Sequence, residues 1–116
     1  MIAITNTTKN TLIARNGRLA DTFFSRMIGL LNRPCLPKDE ALIITCCQSI
    51  HMFFMRFAID AIFVDKKDCV VGIVKSIKPF RLSPIFFKAS YVIEVPEGAI
   101  VQSETSIGDK IQVQNN

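Results

Sequence analysis

Hydrophobic and polar positions follow successive patterns along the chain. Short β-type runs at 2–4 and 11–14 flank a polar stretch at 6–10 and predict an opening hairpin. Large apolar residues then recur at helical spacing between positions 23 and 31. Asp21 or Thr22 can cap this segment and Pro34 ends it, so we predict one main helix near the N-terminus, over residues 21–33.

After Pro34 the pattern is that of β-strands, because short runs rich in β-branched and aromatic residues alternate with turn signals. These runs are residues 41–45, 50–55, 59–64, 69–77, 90–95 and 110–114. Asp68 closes a predicted hairpin turn at 65–68 in the left-handed conformation, and Gly98 and Gly108 mark later turns. We therefore predict a mainly β fold with at least six strands, a β-sandwich or barrel-like architecture in which the helix closes one side.

The length and composition fit one globular domain over residues 1–116. Of the 116 residues, 49% are hydrophobic and 21% are charged, which is typical of folded and not of disordered proteins. No apolar run reaches the roughly 18–20 residues that a membrane-spanning helix needs. The N-terminus lacks the basic and long apolar regions of a signal peptide, so we expect a cytoplasmic protein.

The charge and the cysteines of the chain indicate no cofactor. The net charge of +4 permits weak attraction to nucleic acid or anionic lipid, but it gives no strong signal for either partner. The four cysteines are Cys35, Cys46, Cys47 and Cys69, and no pair has the spacing of a zinc knuckle or a redox motif. We expect reduced thiols, no metal and no cofactor.

The run at 49–60 places the only histidine of the chain, His51, together with Arg56 and Asp60 among large apolar side chains. An unpaired buried charge costs several kcal/mol, so such residues are usually paired or used. The structural interpretation pairs Arg56 with Asp60 or Glu94 and makes His51 a hydrogen-bonded core residue. In the functional interpretation Arg56 and His51 hold a small anionic ligand, because a guanidinium group suits carboxylate or phosphate.

The same run belongs to a series of motifs that extends over nearly the whole chain. They are Arg26, 29–31 and Arg33, then 47–51, 54–57, 59–60, Phe63, 78–80, 92–96, Gly98 and 108–109. In these residues the chain resembles the bacterial and archaeal family called domain of unknown function 192. The resemblance implies a mainly β sandwich or barrel with little helix, and it implies no activity, cofactor or partner. Met52 departs from the family pattern, which commonly has a threonine beside the histidine.

An enzymatic alternative uses Cys47 as the nucleophile, His51 as the base and Asp60 as the residue that orients the base. Four residues along a strand span about 13 Å, so Cys47 and His51 meet only if the chain folds back between them. No basic cluster or helix N-terminus is evident in the sequence to activate the thiol. We therefore predict no catalytic residue.

The segment 78–88 interleaves basic and aromatic residues around two prolines and does not suit a central strand. The interpretation that we favour here is a loop whose phenylalanines cover the core while its cations stay in water. Alternatively, this loop docks on a protein partner or a membrane surface, or stacks on bases.

The sequence as a whole favours a non-catalytic small-ligand-binding or accessory module. The candidate site comprises His51, Arg56, Asp60 and Glu94, with a small anionic ligand as the partner. The cysteine-dependent enzyme and the interaction module that works through 78–88 are the alternatives.

Overall fold

The computed structural model describes residues 2–20, 36–50, 52 and 56–115. Its elements are β1 (Ile2–Asn6), β2 (Thr11–Ala20), β3 (Glu40–Thr45), β4 (Ile59–Val64), β5 (Val70–Ile77), β6 (Tyr91–Pro96), α1 (Ala99–Gln102) and β7 (Ile111–Asn115). The predictions of a mainly β fold and of at least six strands are confirmed. The predicted helix at 21–33 and most of the predicted strand at 50–55 lie outside the described residues. The helix that the structure does describe, α1, lies instead near the C-terminus.

The seven strands form one sheet in the order β5-β4-β6-β3-β2-β1-β7. All neighbours are antiparallel except β2 and β3, which are parallel. The sheet curls until its two edge strands meet at one end, where Cys69 bridges Lys110. There Val70 N–H donates to the carbonyl of Asp109 at 2.9 Å, and Gly108 N–H donates to that of Val70 at 2.8 Å. The result is a half-barrel, in agreement with the predicted barrel-like architecture.

Apolar side chains cover both faces of this sheet, which explains why every residue of β4 is buried. Ile62 and Val64 belong to a cluster with members from all seven strands and from α1, so this cluster fills the inner side of the curl. Ala61 and Phe63 belong to the second cluster, on the opposite face, which the connecting residues Ile50 and Met52 help to cover. Asp60 is the one charged residue of β4, and its burial at 1% exposure makes it the first candidate for a specific role.

The turns follow the sequence-based predictions closely. Asp68 adopts the left-handed conformation with a φ of 64°, and Gly98 and Gly108 have φ values of 97° and 96°. The opening hairpin is also confirmed, since β1 and β2 are antiparallel and Asn6 pairs with Thr11.

A buried polar network ties this hairpin to the chain before β7, and sequence reasoning did not detect it. Asn6 is fully buried, and its Nδ2 donates to Thr105 Oγ1 at 3.1 Å and to Asp109 Oδ2 at 2.9 Å. Lys9 Nζ donates to the same carboxylate oxygen at 2.8 Å, as does the backbone N–H of Ser106 at 2.9 Å. Burial opposes ionisation, but the hydrogen bonds from Asn6 and Lys9 outweigh it and hold the pKa of Asp109 below its ordinary value of 3.8.

Because the folded-state pKa of Asp109 is lowered, its stabilisation is present above the ordinary pKa and is lost as the pH falls through the folded-state value. We expect Asp109→Asn to lower the free energy of unfolding by about 2 kcal/mol at pH 7. The difference from the unmodified chain should shrink as the pH falls below about 4. Urea titrations between pH 7 and pH 2 measure this, with the exposed Glu97→Gln as control. If the free energies of unfolding of Asp109→Asn and of the unmodified chain differ by the same amount at every pH in this range, the prediction is wrong.

Candidate functional site

Asp60 satisfies the backbone of a bulge and a turn. Ile59 pairs with Ile77 and Ala61 pairs with Val74, so β5 has one more residue than β4 between these two pairs. Asp60 Oδ1 accepts the N–H of the bulged Ser76 at 2.8 Å. Its Oδ2 accepts the N–H groups of Gly98 and Ile100, both at 3.0 Å, at the start of α1. Asp60 therefore has a structural role that accounts for its burial.

Glu94 does not lie beside Asp60. Glu94 is opposite Ala61 in the pairing of β4 with β6, whereas Asp60 is opposite Val95. Because side chains alternate along a strand, Glu94 lies on the face of Ala61 and Phe63, and Asp60 lies on the inner face. Two of the four candidate site residues are thus on opposite faces of the sheet.

Arg56 is exposed, so its charge needs no buried partner. Ion pairs in the described part of the chain include Lys9–Asp109 and Arg15–Asp39, and none joins Arg56 to Asp60 or Glu94. The prediction of an Arg56 ion pair with one of these carboxylates is therefore wrong, because Arg56 lies at the surface. His51 lies outside the described residues, and an anion site formed by His51 and Arg56 stays a prediction.

Cys46, Cys47 and Cys69, the cysteines that the structure describes, form no disulfide bond with one another, whereas Cys35 lies outside the described residues. Cys47 is buried, and its Sγ donates to the carbonyl oxygen of Ser49 at 2.9 Å. This contact directs the thiol proton to a backbone acceptor. The alternative in which Cys47 is a nucleophile with His51 as its base stays a prediction, because His51 lies outside the described residues.

The segment 78–88, here called the basic apolar loop, lies beside residues 48–50 and 52. It lies outside the named strands, as predicted. Phe80 N–H donates to the carbonyl of Met52 at 2.7 Å, and Met52 N–H donates back to Arg81 at 2.8 Å. Further along, Ser83 N–H donates to Ile50, and the Ser83 hydroxyl accepts the N–H of Ile50, both at 2.9 Å. These bonds hold the loop in one backbone conformation.

Phe86 anchors the loop on the sheet. Its ring lies against Phe63 with centroids 4.4 Å apart. Gly72 is opposite Phe63 in the pairing of β4 with β5, and a Cβ atom at Gly72 would overlap the Phe86 ring. Phe86 therefore occupies the space that a side chain at position 72 would fill.

The other large apolar side chains of the loop face solvent. The exposed fraction is 62% for Phe80, 67% for Leu82, 57% for Ile85 and 78% for Phe87. The packing interpretation favoured from the sequence thus holds for Phe86 and is wrong for Phe87, which is mostly exposed. The cations of the loop are Lys78, Arg81 and Lys88, all exposed, and the loop contains no carboxylate.

The fold and the loop define the class of protein, which is a curled β sheet with a loop of exposed apolar and basic side chains. In the described part of the chain, no helix is long and apolar enough to cross a membrane. The described residues also contain no group of three or more His, Cys, Asp or Glu side chains that could hold a metal ion.

The chain belongs to the DUF192 family (Uncharacterized ACR), whose model matches residues 4–113. It is 38% identical over 114 residues to a UPF0127 protein of Thermococcus sibiricus, covering 91% of this chain and 71% of that protein. UPF0127 protein PH1112 of Pyrococcus horikoshii is 35% identical over 114 residues, with 94% and 96% covered. The fold resembles the crystal structure of a protein of unknown function from Novosphingobium aromaticivorans, with a TM-score of 0.81 at 23% identity, covering 96% and 82%.

Proposed function

We propose that this protein is a non-catalytic accessory module that docks on an anionic membrane surface through the basic apolar loop. The observation that carries the proposal is the composition of this loop at the surface. Four large apolar side chains are more than half exposed, beside three cations and without a carboxylate, within eleven residues. Apolar side chains that enter the acyl boundary, flanked by cations at the headgroups, are the usual means of peripheral membrane binding.

The energies are sufficient for reversible docking. Full burial of a Leu, Ile or Phe side chain stabilises by about 1.5–3 kcal/mol, and each cation near an anionic surface contributes about 1 kcal/mol. The hydrogen bonds to Gln48, Ile50 and Met52 and the Phe86 anchor order the loop in advance, which lowers the entropy lost on binding. Partial insertion therefore gives affinities in about the micromolar range.

A lipid surface suits this loop better than the other partners considered from the sequence. Leu82 and Ile85 are aliphatic and provide no platform on which bases stack, which disfavours single-stranded nucleic acid. Protein–protein interfaces are depleted in lysine at their centres, whereas here Lys88 directly follows Phe87, the most exposed apolar residue. An anionic bilayer accepts both the apolar and the cationic groups at once.

Binding to lipid vesicles tests the proposal, with two variants that each remove two exposed apolar side chains. Ile85→Ser/Phe87→Ser changes the loop, whereas Val101→Ser/Ile107→Ser changes residues that are each 65% exposed elsewhere. We expect the loop variant to bind phosphatidylcholine vesicles with 30% phosphatidylserine at least about tenfold more weakly, since the lost insertion exceeds about 1.4 kcal/mol.

Sedimentation of the vesicles with bound protein gives the affinities. The Val101→Ser/Ile107→Ser control should bind within about twofold of the unmodified chain, and added salt should weaken binding of both. Equal binding to neutral and anionic vesicles, or an equal effect of the two double variants, would contradict the proposal.

A further inference from the structure

A cleft of about 530 Å³ adjoins the end of the basic apolar loop. One wall is the turn between β4 and β5, with Lys66 and Lys67, and the other wall comes from the loop, with Phe87 and Lys88. Gln48 helps to close it, and its Nε2 donates to the carbonyl of Phe87 at 2.7 Å. Two segments that are about twenty residues apart in the sequence thus bring three lysines to one concave surface, next to the most exposed phenylalanine.

The carboxylate of Asp65 also lines this cleft, and its contacts explain how it is accommodated. Its Oδ1 accepts the backbone N–H groups of Cys69 at 2.9 Å and Lys67 at 2.8 Å, and these bonds hold the pKa of Asp65 below its ordinary value. Asp65 is therefore ionised at neutral pH. Three lysines and one aspartate line the cleft, so the lining residues carry a net charge of about +2.

We propose that this cleft binds the phosphomonoester group of a membrane lipid while Phe87 enters the bilayer beside it. The inference rests on the proposed docking function and adds selectivity for a headgroup. A phosphomonoester has a charge of about −1.5 to −2 at pH 7, which matches the cleft, whereas the phosphodiester of an ordinary phospholipid has a charge of about −1. Lysine ammonium groups bind phosphate oxygens as point charges and need no single planar geometry.

The affinity is compared between vesicles that contain phosphatidic acid and vesicles that contain phosphatidylserine, both adjusted to the same surface potential. This comparison separates selectivity for the phosphomonoester from general attraction to an anionic surface. The unmodified chain should bind phosphatidic acid at least about fivefold more tightly, which corresponds to about 1 kcal/mol. Lys66→Gln/Lys67→Gln should abolish this preference and still bind phosphatidylserine through the loop. The control Arg15→Gln/Lys38→Gln also removes two positive charges, from exposed residues outside the cleft, and should keep the preference.

A further arm titrates glycerol 3-phosphate without vesicles, followed by NMR shifts of residues 65–67 and 87–90. We expect these residues to shift only at concentrations well above those that saturate lipid binding.

Equal affinity for phosphatidic acid and phosphatidylserine, or equal effects of the cleft variant and its control, would overturn the phosphate cleft and leave the docking function intact. If free glycerol 3-phosphate binds more tightly than the vesicles do, the phosphomonoester that the cleft binds is not that of a membrane lipid. Failure to bind any anionic vesicle would overturn both proposals.

Discussion

Replacing Asp60 with alanine is expected to lower the free energy of unfolding by about 4 kcal/mol, because three backbone N–H groups lose their acceptor together. Ile100 N–H is buried and has no route to water, so removing its acceptor has the largest free-energy cost of the three. Ser76 and Gly98 are exposed residues whose N–H groups can be partly rehydrated. Both have left-handed φ values, of 55° and 97°, and Asp60 holds these two unusual backbone positions in place.

Chemical denaturation of Asp60→Ala, Asp60→Asn and Glu97→Ala measures this effect. Asparagine preserves the volume but presents an NH₂ group to a backbone donor, so it should recover less than half of the loss. Glu97 is exposed, and its replacement should change stability by no more than about 0.5 kcal/mol. A loss of less than about 1 kcal/mol in Asp60→Ala would show that the carboxylate does not support the bulge and α1.

Replacing Gly72 with valine is expected to cost about 3 kcal/mol, although valine suits a β-strand better than glycine. The cost arises from the Phe86 ring, which lies where the new side chain would be. Either β5 shifts relative to β4, or Phe86 leaves Phe63 and the basic apolar loop loses its anchor. Denaturation measures the stability, and vesicle sedimentation should show weaker docking because the loop must then be ordered on binding.

A double-mutant cycle with Phe86→Ala separates the clash from any general intolerance of valine. The valine in Gly72→Val/Phe86→Ala can fill the space that the ring leaves. We therefore expect the double variant to be at least as stable as Phe86→Ala, which requires a favourable coupling of about 3 kcal/mol or more. If the two losses simply add, Phe86 does not occupy the space above Gly72.

Local chemistry made much of the fold predictable. The left-handed turn at Asp68, the turns at Gly98 and Gly108 and the alternating apolar runs depend on properties of single residues and their neighbours. Family membership was predictable for the same reason, since its motifs are linear. The predicted Arg56 ion pair does not form because a run of large apolar residues is not buried throughout, and Arg56 lies at the surface.

The sequence by itself determined the mainly β character of the fold, the turns at Asp68, Gly98 and Gly108 and the presence of a basic aromatic segment at 78–88. Only the tertiary structure decided that Asp60 serves a bulge in β5 and the start of α1, because these N–H groups come together only when the sheet has curled. It also decided which phenylalanines of the loop are buried. Phe86 packs inward because Gly72, on a neighbouring strand, leaves space beside Phe63, while no such space receives Phe87. Packing across strands depends on residues distant in sequence, and local pattern carries no information on it.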